Sequence, residues 1–377
     1  MAGFHKRQEH FLFALFLTLT IAPAVAHPPI NLSRLASPPL AYSCPYAGRQ
    51  ASIRCDGLTD EPAWKNVPWT SAFQDIEGPE QPAPYHSTRV RMVWDDEALY
   101  VAAELTEPDL WATLRNHDDI IFRDNDFEVF ISGDPSDSEY YEVEVNAFNT
   151  VFDLLLPRPY RDKGIANIPW NLNGLQTGVH LTGTINQPGD RDNGWTVEMK
   201  IPFRGLALQG NGKSPVAGDR WRINFSRVEY DITTEGTSYR KIKYSSSGKD
   251  LPERNWVWSP QGIIDMHFPE RWGYLYFQKE TSPVQHRLTL NDSLEQCLWL
   301  TAYAQRLHFR TYREWLREPT PELSNLLQRL QPKGFDLKIN EHPSGWAASI
   351  THRRQATVLT LDANGNLTEW KSSTAKP

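Results

Sequence analysis

Tyr140-Tyr141-Glu142-Val143-Glu144-Val145-Asn146-Ala147-Phe148 alternates without a break. In an extended chain successive side chains point to opposite faces, so Tyr141, Val143, Val145 and Ala147 share one side. Tyr140, Glu142, Glu144, Asn146 and Phe148 share the other. A helix would scatter the same residues around its circumference. The stretch therefore predicts a strand with one buried face and one polar face interspersed with aromatics.

Runs of similar character lie on both sides of it: Val90 to Trp94, Leu99 to Leu105, Phe127 to Ile131, Val151 to Leu156, Val179 to Ile185, Trp195 to Ile201, Trp221 to Val228 and Tyr274 to Phe277. Turn-forming Gly, Pro and Asn residues separate them. Nine short runs between Ile53 and Phe277 predict a mainly β fold, an antiparallel β-sandwich of jelly-roll or immunoglobulin-like type. The 14 Trp, 14 Tyr and 28 Pro of the 377-residue chain fit strands, turns and flat contact surfaces. A net charge of -7 speaks against a nucleic-acid partner, which would require clustered Lys and Arg, and favours a neutral ligand.

Beyond the strands the pattern changes at each end. Lys6 and Arg7, an apolar run from Phe11 to Ile21, and Ala24-Val25-Ala26 have the layout of a secretory leader cut after Ala26. The run is shorter than the roughly 20 residues that span a bilayer. An exported chain, periplasmic or extracellular, with no membrane span after leader removal, is the expectation. Residues 27–49, rich in Pro, Ser and Ala, read as a linker or extended lead-in, and residues 50–279 as the sandwich. Residues 280–377 read as a small α+β module. There Ser293-Leu294-Glu295-Gln296 has the form of a capping box, and Leu294, Cys297, Leu298, Thr301 and Ala304 recur at helical spacing. Thr320-Pro321 opens a second helix, and Asn364-Gly365 marks a hairpin turn. An oxidising compartment would let Cys44 and Cys55 form a disulfide, leaving Cys297 as a buried thiol.

From Ile53 to Phe277 several motifs occur in one order. They are Asp56-Gly57-Leu58-Thr59-Asp60-Glu61-Pro62-Ala63-Trp64, then Trp94-Asp95-Asp96-Glu97-Ala98-Leu99-Tyr100-Val101-Ala102, then Asp126-Phe127-Glu128-Val129-Phe130-Ile131. Tyr141-Glu142-Val143-Glu144-Val145-Asn146, Gly194-Trp195-Thr196-Val197-Glu198-Met199-Lys200-Ile201-Pro202 and Arg271-Trp272-Gly273-Tyr274 follow. This series resembles the family 9 carbohydrate-binding modules. The resemblance implies a sandwich that grips sugar ends between aromatic rings, with structural calcium as a possible cofactor and xylan- or cellulose-degrading glycoside hydrolases as associates. It places one stacking ring at Phe122, a phenyl where the family has an indole, and another at Trp256 or Trp258.

The chemistry of a sugar agrees with this independently. A pyranose has an apolar C–H face that stacks on an aromatic ring, and its hydroxyls demand paired donors and acceptors. Glu128, Glu142, Glu144 and Asn146 on polar strand faces, joined by Arg222 and Asn224, are the expected hydroxyl partners, with Trp170 as a further loop aromatic. Trp64, Trp94, Trp195 and Trp272, on apolar strand faces, are expected to fill the sandwich core. Asp95-Asp96-Glu97 and Asp190 to Asp192 offer oxygen ligands for calcium, without EF-hand spacing. The ligand expected is an oligosaccharide or polysaccharide. Two other functions fit the sequence: a glycoside hydrolase using Glu128, Glu142 and Glu144 as paired carboxylates, and a structural or haem-binding sandwich. No Gly-x-Ser-x-Gly, His-Glu-x-x-His or phosphate-loop motif points to other catalysis.

Overall fold

The computed structural model describes residues 30–49, 51–133, 139–206, 214–279, 288–330, 334–353 and 357–371. The expected leader and its cleavage point at Ala26 lie outside the described residues. A short helix, α1 (Leu32–Leu35), is followed by the strands β1 (Ala41–Cys44), β2 (Gln74–Asp75), β3 (Thr88–Trp94), β4 (Ala98–Thr106) and β5 (Asp126–Ser132). Then come β6 (Tyr140–Asn146), β7 (Val151–Leu156), β8 (Gln176–Thr182), β9 (Gly194–Pro202) and β10 (Arg220–Glu229). The small strands β11 (Ile232–Glu235), β12 (Ser238–Lys241) and β13 (Arg254–Val257) precede β14 (Gly273–Phe277). The tail holds α2 (Leu290–Tyr312), α3 (Pro321–Leu330), β15 (Phe335–His342), β16 (Gly345–His352), β17 (Thr357–Asp362) and β18 (Leu367–Lys371).

Two sheets form the sandwich. The first runs β1-β14-β10-β5-β6-β7, with β13 and β2 joined at β10, and the second runs β3-β4-β9-β8. All pairings are antiparallel except β1 on β14. Alternation dictates what lies between them. Phe127, Val129 and Ile131 of β5, Tyr141, Val143 and Val145 of β6, and Ile223 and Phe225 of β10 meet Val90, Met92, Val101, Val197 and Met199 from the facing sheet. Packing is close: a Cβ on Gly273 would stand 2.4 Å from the Trp258 ring, so only glycine lets β14 pass there.

The alternation of β6 does not mean that its second face is wet. All seven residues of β6 are buried, because loops cover the outer face of the first sheet. Phe130, Tyr140, Phe152, Leu154 and Trp272 form a second apolar cluster there with Ile76, Ile121 and Met266. Trp94 and Trp195 enter the sandwich core as expected. Trp272 fills this outer cluster instead, and Trp64 packs on the outer face of the second sheet, its indole N–H donating to Glu198 at 2.8 Å.

The ends of the sandwich also differ from expectation. Residues 32–44 are no linker: α1 packs with the tail, and β1 becomes an edge strand of the first sheet. The helix α2 begins before Ser293, because Thr289 is its N-cap and forms the capping box with Asp292. At α3 the Thr320 hydroxyl accepts from Leu323 N–H as an N-cap should. The β15-β16-β17-β18 meander, turning at Gly365, packs against α2. Buried polar contacts tie α2 to the sandwich: Arg222 pairs with Glu295, Arg220 with Asp292 at 2.5 Å, and Tyr303 donates to Glu270.

Cys44 and Cys55 are separate thiols, which corrects the expected disulfide. Cys44 points into the sandwich core, whereas the backbone of Cys55 lies against Gly178 of β8 in the second sheet. Burial raises both thiols, Cys55 to about 12, so neither is a ready nucleophile.

Candidate functional site

The outer face of the first sheet carries a row of acids. Pairing of β5 with β6 sets Glu128 opposite Glu144 and Phe130 opposite Glu142, and places Asp126 opposite Asn146. Because every second residue faces outward, Asp126, Glu128, Glu142 and Glu144 end on one surface. Single oxygens of Asp126, Glu128 and Glu144 all lie within 4.8 Å of one another. No Lys or Arg among the described residues forms an ion pair with any of the four. Asp126 Oδ2, Glu142 Oε2 and Glu144 Oε1 are buried without a hydrogen-bond partner. Ser226, opposite Glu128 on β10, lies near that carboxyl but outside hydrogen-bonding geometry.

Removal from water without a compensating cation favours the neutral acid. Burial, reinforced by the Glu142 charge, pushes Glu128 up to about 8. Burial pushes Glu142 to about 7, the neighbouring Glu144 carboxyl restraining the rise. Burial and the neighbouring carboxylates hold Asp126 and Glu144 well above the usual carboxylate range. At neutral pH the row thus holds protons and presents both O–H donors and acceptors. Its oxygen donors are also the kind that a hard cation takes.

A loop lies over this row with its backbone fixed. Asp124 accepts from Thr113 N–H, Leu114 N–H and the Asn146 amide, at 2.7, 2.8 and 3.1 Å, which pins the loop to β6. Next to it a 3-10 turn spans Ile121–Arg123. Phe122 N–H donates to Glu144 Oε2 at 2.9 Å, and the Tyr230 hydroxyl donates to the Phe122 carbonyl at 2.9 Å. Held at both ends of its backbone, Phe122 leaves its ring 41% exposed. Tyr160 is a second open ring, 45% exposed, seated edge-on against His267 at 4.5 Å. Burial and then the charges of Glu142 and Glu144 raise its hydroxyl to about 12. His267, held neutral by burial and Arg161 at about 3, hydrogen-bonds the Tyr140 hydroxyl at 2.8 Å.

Several residues expected at the site are placed elsewhere. Trp256 and Trp258 are each 2% exposed and belong to the sandwich core, so neither offers a platform. Trp258 sits between Tyr42 and Phe225, and Trp256 is capped by Tyr85 at 4.8 Å. Trp170 is half-buried against Tyr141, on the core side of the sheet. Arg222 is taken by Glu295, by the Trp272 carbonyl and by the Tyr274 ring. Asn224 spends both ends of its amide on Ser259 and Phe225, and Asn146 spends its own on Leu114, Asp124, Phe148 and Thr150. These are structural amides. Of the expected residues, the structure brings together Phe122, Glu128, Glu142 and Glu144. Tyr160 is not among the expected residues, although Pro157 and Pro159 beside it mark a loop that could carry an open ring.

Neither expected calcium segment assembles ligands. Both oxygens of Asp95 accept from its own turn and from Ala51 N–H and the Tyr100 hydroxyl. Asp192 accepts from Leu110 and Thr184 N–H. Glu107 and Glu229, near His86, are held by Arg227 at 2.6 and 2.9 Å.

Comparison with known proteins adds a family. The model described as carbohydrate family 9 binding domain-like matches residues 55–257. Among solved structures the chain is similar to a Bacteroides uniformis ATCC 8492 protein, with 16% identity over 63% of this chain and 99% of that one, at a TM-score of 0.46. It is also similar to a family 9 carbohydrate binding module from Caldicellulosiruptor kristjanssonii in complex with cellotriose, with 18% identity over 64% and 94% at a TM-score of 0.38. The glucose complex from the same organism gives 17% over 65% and 98%, at 0.36. No curated protein matches the chain.

Proposed function

The chain belongs to the carbohydrate family 9 binding domain-like family, and from that premise we propose that its sandwich binds a neutral oligosaccharide at the Phe122 and Tyr160 rings. The observation that carries this reading is the presentation of Phe122. Its backbone is fixed by Glu144 and Tyr230 while its ring faces solvent above a buried acid row. A ring fixed in advance loses little freedom when a sugar face stacks on it. Glu144, buried beneath the ring, acts through the Phe122 backbone that it holds, while the exposed Tyr160 phenol offers a donor and an acceptor to sugar hydroxyls. An acid row with no basic partner disfavours uronates and other anionic sugars.

In this reading the protein is exported, captures polysaccharide fragments and serves their breakdown beside glycoside hydrolases, without cleaving them itself. The test is calorimetric titration of the leader-free chain with xylo- and cello-oligosaccharides, with the same mixtures assayed for new reducing ends. Saturable heat without new reducing ends supports binding. Silence on every glycan, or new reducing ends that vanish in Glu142→Gln, overturns it.

A further inference from the structure

A cleft of about 250 Å³ lies between the sandwich and α2, lined in part by Arg161 and Asp162, which follow Tyr160 in the chain. Its walls are apolar: Ile263 and Phe268 come from the loop before β14, Phe309 from α2, and Trp315 from the segment after it. Phe309 and Trp315 stack at 4.1 Å with 15° between their planes, which makes one side of the cleft flat. Its charged lining is mainly cationic. Arg161 lies over the Phe268 ring at 4.2 Å, with its guanidinium committed to Glu270 at 2.7 Å and to the His267 carbonyl. Arg306 reaches Asp162 at 3.2 Å. Arg310 lines the same cleft and has no acceptor among the described residues. Three guanidiniums against Asp162 and Glu270 leave one positive charge unanswered.

From this we propose that the cleft is a second ligand site, for a small carboxylate carried on an apolar body. An inorganic anion would leave the aromatic walls uncovered. A sugar would bring hydroxyls to walls whose one carboxylate is already paired, and unpaired buried hydroxyls are costly. A carboxylate on an apolar body satisfies both halves, its head on Arg310 and its body against Phe309, Trp315 and Ile263. Size agrees. A 150 Å³ apolar cavity holds benzene, so about 250 Å³ takes roughly ten non-hydrogen atoms.

The test titrates the leader-free full chain with 3-phenylpropanoate and with its uncharged amide. Saturable binding of the acid is expected, with the amide at least about tenfold weaker, since a hydrogen bond to a charged group is worth about that factor. Arg310 is exposed on the helix surface, so Arg310→Gln leaves the fold intact; it should weaken the acid about tenfold and leave the amide unchanged. Saturating xylo-oligosaccharide should not displace the acid. The proposal is overturned by no saturable heat with the acid, by equal binding of the amide, by an Arg310→Gln variant that binds as well as the parent, or by displacement with sugar.

Discussion

Glu128→Gln should make the protein more stable in alkaline solution and leave it unchanged in acid. Glu128 is 4% exposed, has no cationic partner, and is raised from 4.5 to about 8. The sign follows from which state keeps the proton. Below about pH 4.5 the group is protonated in both the folded and unfolded chain and contributes nothing. Between about 4.5 and 8 the unfolded chain releases its proton while the folded chain holds it, so stability falls as pH rises, reaching its full loss above about 8. At 1.36 kcal/mol per pH unit the full loss is about 5 kcal/mol, an upper bound because Asp126, Glu142 and Glu144 compete for the same protons. Glutamine keeps the shape and removes the ionisation. Thermal unfolding followed by circular dichroism from pH 4 to 9 in chelator should show the wild type losing stability through this window. The variant should gain on the order of 10 °C at pH 8.5 and nothing at pH 4. A wild-type curve that is flat in chelator, or a gain that is equal at both pH values, would refute the reasoning. Since three of these oxygens stand close enough to share a cation, recovery on adding calcium would assign the row to a cation instead of to protons.

Phe122→Ala should weaken oligosaccharide binding about tenfold, the worth of one aromatic stack, with little change in unfolding temperature because the residue is exposed and its anchoring hydrogen bonds are made by the backbone; paired calorimetry and melting curves check both. Trp258→Ala should instead cost about 3–5 kcal/mol in urea unfolding, as its ring fills the core between Tyr42 and Phe225. Glu295→Ala strands the buried Arg222 guanidinium and should cost about 3–5 kcal/mol, whereas replacing both partners by apolar residues of similar volume should restore most of it. Reductant should leave the unfolding temperature unchanged, and mass spectrometry after alkylation in denaturant should find Cys44 and Cys55 both modified.

Much of the fold could be read from the order of residues because alternation is a local property. All nine apolar runs became strands, and the Asn364-Gly365 turn joins β17 to β18. The strands that match none of these runs, β1, β2, β11, β12 and β13, are two to four residues long and too short to show a period. The site was less legible, for a reason visible at β6. Alternation tells which residues share a face but not what covers that face, and Glu142 and Glu144 read as an open, ligand-facing polar surface when loops in fact bury them. Trp256 and Trp258 show the converse. The family resemblance implies a stacking ring at one of them, yet β13 pairs with β10 and carries Trp256 inward, with Trp258 following it into the core. Burial by distant segments is a long-range fact, and no local pattern encodes it.

The same long-range packing explains why Phe122 is left as an open ring above the acids. The outer face of the first sheet is divided between two coverings. At one end of β10 the tail takes it: Arg220 and Arg222 are bound by Asp292 and Glu295 of α2, and the Tyr276 hydroxyl by Asp292. At the other end the pinned loop takes it, fastened by Asp124 to β6 and by Tyr230 to the Phe122 carbonyl. Arg222 and Asn224 therefore could not serve a ligand, although they stand on the same face as the acids, because one lies under α2 and the other holds Ser259 in place. The acids between these coverings keep their protons because neither covering brings a cation to them. A loop that had placed an arginine over Glu144 would have quenched the row. Instead it supplies the backbone N–H of Phe122, which orients one carboxyl without neutralising it and fixes the ring above it.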